Sequence, residues 1–211
     1  RSDTVRVNSN LPRSTRLGDL PRKIGPYTLM RRLTAEAFED EFLGILDSPP
    51  GKRACVRQLD IESADFDQAI DRLEIIRRLS HPNLVRICSF HRSERQLHVA
   101  EDRADMLTLG DVIQWMNSNG KTFSPRTFLH IALSACRALG ALHAAGTEKA
   151  PLLHGALNPS SLFLSRQGGL KLGHYPLAQS ARLSSTNSVS NEPSLLAYLA
   201  PEQTTANQSI Q

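Results

Sequence analysis

Cysteine is scarce in this chain: Cys55, Cys88 and Cys136 are odd in number, far apart, and form no CxxC or Cys/His spacing. That excludes a disulfide framework and a cysteine-based metal site, and leaves small apolar residues buried in a reducing, cytoplasmic setting. No uninterrupted apolar run approaches the roughly 18 residues of a membrane helix, so no membrane segment is expected. Signal-peptide features and internal repeats are also missing. Aromatics are only 5% of residues, and none falls in the first 23. Those 23 residues hold six basic and two acidic groups, a charge of +4 that equals the net charge of the whole chain. The remainder is neutral, and the basic charges of residues 1–24 are unclustered. They read as a solvated, disordered leader rather than a nucleic-acid or lipid-binding patch. A first residue of Arg1 fits a chain that is processed or taken from a longer protein.

What is present is the composition of a soluble globular domain, with 40% hydrophobic and 22% charged residues over 211 positions. That length is enough for a real core and for one domain of two lobes. Short apolar-rich runs at 27–33, 41–46 and 53–59 predict strands, the last with Ala54, Val56 and Gln58 on one face and a polar opposite face. Phe66, Ala69, Ile70, Leu73, Ile76 and Leu79 recur at spacings of three and four, the stripe of a helix. Ser63 or Asp65 would start it and Ser80-His81-Pro82 would end it. Residues 84–90 and 96–101 predict two more strands, giving a five-stranded sheet with one helix. Helices then dominate. One begins after an N-cap at Thr108 and another covers 125–145, with Phe128, Ile131, Ala132, Ala135, Leu139 and Leu142 on its inner face and Gly146 ending it. Short strands at 162–164 and 170–172 flank a Gly168-Gly169 turn. Residues 179–194, rich in serine, predict a mobile loop.

Residues 154–164 read HGALNPSSLFL. Together with Ser80-His81-Pro82-Asn83-Leu84-Val85, the segment LKLGHYPLA (170–178) and Ala200-Pro201-Glu202, they stand in the order of a protein kinase domain. From about Gly25 to Gln203 the chain resembles the protein kinase-like superfamily, in particular a bacterial-type serine/threonine kinase domain. The resemblance implies an α+β, bilobal fold. Residues 25–101 would form the N-lobe, with a five-stranded sheet and helix C, and 102–211 a helical, truncated C-lobe ending just after the APE motif.

The resemblance also assigns roles that these residues fill unusually. The hairpin Thr34-Ala35-Glu36-Ala37-Phe38-Glu39-Asp40, where backbone amides would approach phosphates, has no glycine, and its three carboxylates would repel a triphosphate. The lysine position holds Arg57, whose planar head has different donor geometry. The helix C glutamate position holds Arg72, so the two cations would repel. Asp71 and Glu74 both point well away from the Arg72 direction around the helix, and a solvated face is expected over an Arg57–Glu74 bridge. In the catalytic loop Ala156 replaces the base, Asn158 the lysine, and Ser161 the metal-binding amide. His174 stands in for the metal-binding aspartate. A neutral imidazole serves magnesium poorly, and no second ligand spacing suggests zinc. Tyr175 and Pro176 complete that motif, and Pro176 would restrict its switching. His154 is expected to be structural.

The resemblance with these departures implies a catalytically inactive kinase-like domain, a pseudokinase acting in signalling as a protein-binding, scaffold or allosteric module. The expectation carries no metal and no catalytic residue; a protein partner is implied and nucleic acid is not. Ala100, at the gatekeeper position, would leave the back of the cleft open, so Arg57, Ala100 and Glu101 could line a weak nucleotide cleft. The alternative is an atypical ATP-dependent serine/threonine kinase, or another phosphoryl or nucleotidyl transferase using Arg57, His174 or Glu101 in new roles, with ATP and magnesium as cofactors. Phosphorylation of Ser184, Ser185, Thr186 or Ser188 could in addition dock the loop on Arg57, Arg72 or Arg182.

Overall fold

The computed structural model describes residues 20–35, 39–61, 66–93, 96–147, 151–175, 177, 198, 200 and 201. The leader up to residue 19, most of the activation-like segment with its serines, Pro176 and Glu202 lie outside the described residues, as do Ser63 and Asp65.

The N-terminal lobe is an antiparallel sheet of six strands, in the order β1-β2-β3-β4-β6-β5. The strands are β1 (Arg22–Ile24), β2 (Tyr27–Ala35), β3 (Glu39–Leu46), β4 (Arg53–Asp60), β5 (Ile87–Arg92) and β6 (Gln96–Glu101). The sixth strand corrects the expectation of five and moves the end of the leader. Arg22–Ile24, read as disordered, pairs with β2 around Gly25, whose φ of 53° suits the tight turn. Arg22 then reaches over the sheet, its guanidinium above the Phe42 ring and donating to Gln58 Oε1. Residues 84–86 are not part of β5; Leu84 instead bridges to Leu172 in the other lobe.

β4 is central, and its six inner residues are buried on both faces, so the polar face expected from its sequence is buried as well. One face carries Tyr27, Leu29, Phe42, Ala54, Val56 and Ala100 in an outer cluster, capped by Leu20 and Ile24. The other meets α1 (Phe66–Arg78), which buries Phe66, Ala69, Leu73 and Ile76 as its periodicity requires.

In the C-terminal lobe, β7 (Leu107–Thr108), β8 (Leu162–Leu164) and β9 (Leu170–Leu172) form a small sheet beside α2 (Leu109–Ser118) and α3 (Pro125–Ala145). Thr108 and Asp111 form a reciprocal capping box at the start of α2, and Ser124 caps α3. α3 buries Ile131, Ser134, Ala138 and Leu142, whereas Phe128, placed on the inner face by spacing, is 61% exposed. α3 is also long and apolar enough to cross a membrane, although no uninterrupted apolar run announces it; here it contributes to the core shared by both lobes. Only Cys55 is buried among the cysteines. Cys88 is half-buried and Cys136 exposed, which corrects the expectation of three buried thiols.

On the outer face His98 is buried opposite Gln58, and among the described residues neither ring nitrogen meets a partner in hydrogen-bond geometry. Burial, reinforced by the charges of Arg22 and His91, pushes its pKa down to about 4 against a weaker upward pull from the His91 backbone and Asp60. Because the folded-state value lies below the ordinary 6.5, neutral His98 supports folding above pH 6.5, and that support is lost as pH falls toward 4. His98→Leu is therefore expected to raise the urea midpoint at pH 7 and to reduce its decline between pH 6.5 and 4. Equal declines in variant and parent would contradict this assignment.

Candidate functional site

Register decides which side chains meet between the lobes. Glu41 on β3 is the Cα partner of Arg57 on β4, which in turn partners Val99 on β6. One step along, Leu43, Cys55 and Glu101 are aligned in the same way. Since neighbouring residues alternate between faces, Glu41, Cys55, Arg57 and Glu101 share the face opposite the outer cluster. Ala100 does not line the cleft. It partners Val56 and belongs to the outer cluster, so Glu101 holds the inward position that sequence reading gave to Ala100.

These charges form one buried network. Arg57 Nη1 donates to Glu101 Oε1 at 3.2 Å, and Arg103 Nε donates to Glu101 Oε2 at 2.5 Å. Arg103 Nη2 also donates to Glu41, and its guanidinium lies 4.4 Å from the centroid of the Phe163 ring on β8. His174 Nε2 lies 2.6 Å from the same Glu41 oxygen, with its ring edge-on to Phe163. Arg57 is 3% exposed and Glu101 is fully buried. Two guanidinium groups and two carboxylates thus balance in a buried space bounded by the sheet, the connecting segment and the C-lobe. Charges at such depth are tolerated only when paired.

The perturbed groups follow from this balance. Burial alone would raise the Glu41 carboxyl, but the His174 hydrogen bond and the Arg103 charge outweigh it and hold the carboxyl far below the usual carboxylate range. For Arg103, burial opposes the charge, and Glu101 and Glu41 more than offset it. Burial pushes the Cys55 thiol up well beyond its ordinary value, so it is a neutral, unreactive group. His174 has φ 55°, the only described non-glycine residue in the left-handed region, a conformation held here at the end of its bond to Glu41.

The catalytic-like loop is tied down by its own polar groups. His154 Nε2 lies 2.8 Å from Gly173 O and its Nδ1 accepts from Ala156 N at 3.4 Å, a structural role. Burial first, with Arg72 adding, takes the His154 pKa down to about 4 despite the bond to Gly173. Asn158 Oδ1 accepts from Ser160 N and Ser161 N, and Ser161 Oγ donates to Asn158 O, so both residues cap the turn Pro159–Ser161. Tyr175 is buried, with its hydroxyl 3.0 Å from both Val85 O and Leu172 O. Gly173 has no room for a side chain: a Cβ would come within 2.8 Å of Val85.

Several expectations change. Arg57 and Arg72 are each tied to an acceptor: Arg57 takes Glu101, and Arg72 donates to the Leu153 carbonyl in the C-lobe. Glu74 pairs with Arg78 one turn on, the solvated alternative to a bridge with Arg57. Asp40, one of the hairpin carboxylates, is neutralised by Arg32. Sequence reasoning missed Glu41 and Arg103; the signal available was a carboxylate at an inward-facing strand position. Among the described residues, no group of three or more His, Cys, Asp or Glu side chains is arranged to hold a metal.

Two lobes joined by this cleft, with the loop and segment order above, define a protein kinase-like fold. The chain belongs to the protein kinase domain family, which matches residues 49–211. It is similar to a putative leucine-rich repeat receptor-like serine/threonine-protein kinase of Arabidopsis thaliana, 25% identical over 82% of this chain and 19% of that protein. It is also similar to the probable serine/threonine-protein kinase PBL21 of the same plant, 26% identical over 93% of this chain and 52% of the relative. The kinase domain of Mycobacterium tuberculosis PknI superposes with a TM-score of 0.60 at 21% identity, covering 75% of this chain and 63% of that one, which is a likeness of fold. The chain thus spans from about a fifth to about half of these curated relatives.

Arg103→Ala, which takes the shared cation from two buried carboxylates and leaves Glu101 to Arg57 and Glu41 to His174, is expected to destabilise the fold by about 3 kcal/mol. Combining Arg103→Met with Glu41→Leu should recover most of that loss, because charges of both signs then leave together. Chemical denaturation of the parent, each single variant and the double variant checks both, and a double variant as unstable as the sum of its singles would refute the network.

Proposed function

We propose that this kinase-family domain is a pseudokinase that works by binding a protein partner, in a signalling or scaffold role, rather than by transferring phosphate. The observation that carries the reading is that the charged side chains between the lobes are paired with one another, with the Arg103 guanidinium lying over the Phe163 ring. Three further positions support it. Ala156 supplies no carboxylate to deprotonate a substrate hydroxyl. Ser161 spends its hydroxyl inside the loop, and His174 is committed to Glu41. Phosphoryl transfer depends chiefly on positioning and on charge stabilisation by metal ions held by protein oxygens. Neither ATP nor magnesium is required by this reading. The free thiols suit a reducing, cytoplasmic location, and no nucleic-acid surface is invoked.

The serine/threonine kinases among the relatives favour a second reading, an atypical ATP-dependent kinase or other phosphoryl or nucleotidyl transferase that uses Arg57, Glu101 or His174 in new roles. The two are separated by one experiment. Purified protein is incubated with radiolabelled ATP and magnesium or manganese, and nucleotide binding is followed by thermal shift. The expected outcome is no incorporation, no substrate-dependent turnover and no rise in Tm. Autophosphorylation abolished by Arg57→Ala, in a variant whose circular dichroism shows it folded, would establish the second reading instead.

A further inference from the structure

A second concave feature lies beside the cleft. It is a half-open groove of about 690 Å³ between strands β2–β4 of the N-lobe sheet and the C-lobe, running along the connecting segment Ala104–Leu107. None of Glu41, Arg57, Glu101, Arg103 and His174 lines it. Its floor is apolar, with Leu33, Met106, Leu107 and Phe123, and Leu107 is 61% exposed. Its charged wall is cationic: Arg31 and Arg53 from the sheet and Arg166 from the β8–β9 turn, with His130 of α3 beside them. The single acid lining it, Asp105, is already paired with Arg53 at 2.8 Å. Among the described residues Arg31 and Arg166 have no acidic partner. Beyond its first 23 residues the chain is neutral, so the positive lining of this groove is not a share of a general basic excess.

We propose that this groove is a docking site for an acidic peptide segment of a partner protein, one that carries a leucine-, methionine- or phenylalanine-type anchor between its carboxylates. The apolar floor accepts the anchor, whose burial supplies affinity. The arginines, contributed by both lobes, select for negative charge and against basic or neutral competitors. A half-open groove suits an extended chain, since a peptide can enter from the side and leave at either end, whereas most ligand pockets bury a small molecule on nearly all sides. Because the arginines are exposed, their contribution is electrostatic steering and falls as salt rises. The proposal is independent of whether the neighbouring cleft turns over nucleotide.

The test uses an array of fluorescein-labelled 12-residue peptides, varying Glu, Lys or Ser around a central Leu, Phe or Ala, read by anisotropy against the whole chain. Saturable binding is expected only for peptides with both Glu and an apolar anchor, weakening as ionic strength rises. Arg31→Glu/Arg166→Glu should weaken it by about tenfold or more, and Leu107→Ser should weaken it without changing the salt dependence. These side chains are exposed, so unchanged thermal melts confirm that the variants fold. Arg77→Glu/Arg86→Glu, remote from the groove, should leave affinity unchanged. Equal binding of Lys peptides, retention of affinity in the Arg31/Arg166 variant, displacement of bound peptide by citrate alone, or no saturable binding anywhere in the array would each overturn the proposal.

Discussion

Glu41 can stay ionised in the interior only because Arg103 and His174 both reach its carboxylate. That requirement connects three parts of the molecule. Glu41 belongs to the sheet, Arg103 to the segment that leaves it, and His174 to the C-lobe strand–loop beyond β9. Moving any one away exposes a charge to a medium that cannot solvate it. The lobes are therefore held together by electrostatic necessity as well as by the apolar core that runs from α1 to α3. The left-handed backbone at His174 is the local cost of aiming its ring at that carboxylate.

The same network gives the cleft its chemical character. In the family's fold this space lies between sheet and C-lobe, where charged groups can be set out for a bound molecule. In this chain the charges are turned on one another: Arg57 to Glu101, Arg103 to Glu101 and Glu41, Arg72 to a backbone carbonyl. Each cation that family resemblance leads one to look for is present in some form, but each meets a partner within the chain. Asn158 and Ser161 of the catalytic-like loop are likewise engaged with one another. The groove beside the connecting segment presents the opposite arrangement, with exposed arginines over apolar surface and little acidic charge to neutralise them.

Much of the fold was legible. The period of α1, the N-cap at Thr108, the Gly146 end of α3 and the Gly168-Gly169 turn are local features, set by residues close in sequence. The errors arose where neighbours in space decide. Arg22–Ile24 is too short and polar to announce a strand, and forms one because β2 offers an edge. β4 reads as half-polar, yet it is buried on both faces because Arg57 is neutralised from the next strand. Phe128 fits an apolar stripe by spacing but sits just beyond the part of α3 that other elements cover.

The sequence by itself determined the order of elements, membership of the kinase-like class, and which residue types stand at Arg57, Arg72, Ala156, Ser161 and His174, since spacing along the chain carries all of that. Only the tertiary structure decided what those residues do. Pairing register turned Ala100 outward and Glu101 inward, and chain return brought Arg103 and His174 onto Glu41 from 62 and 133 residues away. A buried charge is defined by its surroundings, and those surroundings come from strands and loops remote in sequence. The meaning of each charged position was therefore set only when the chain closed around it.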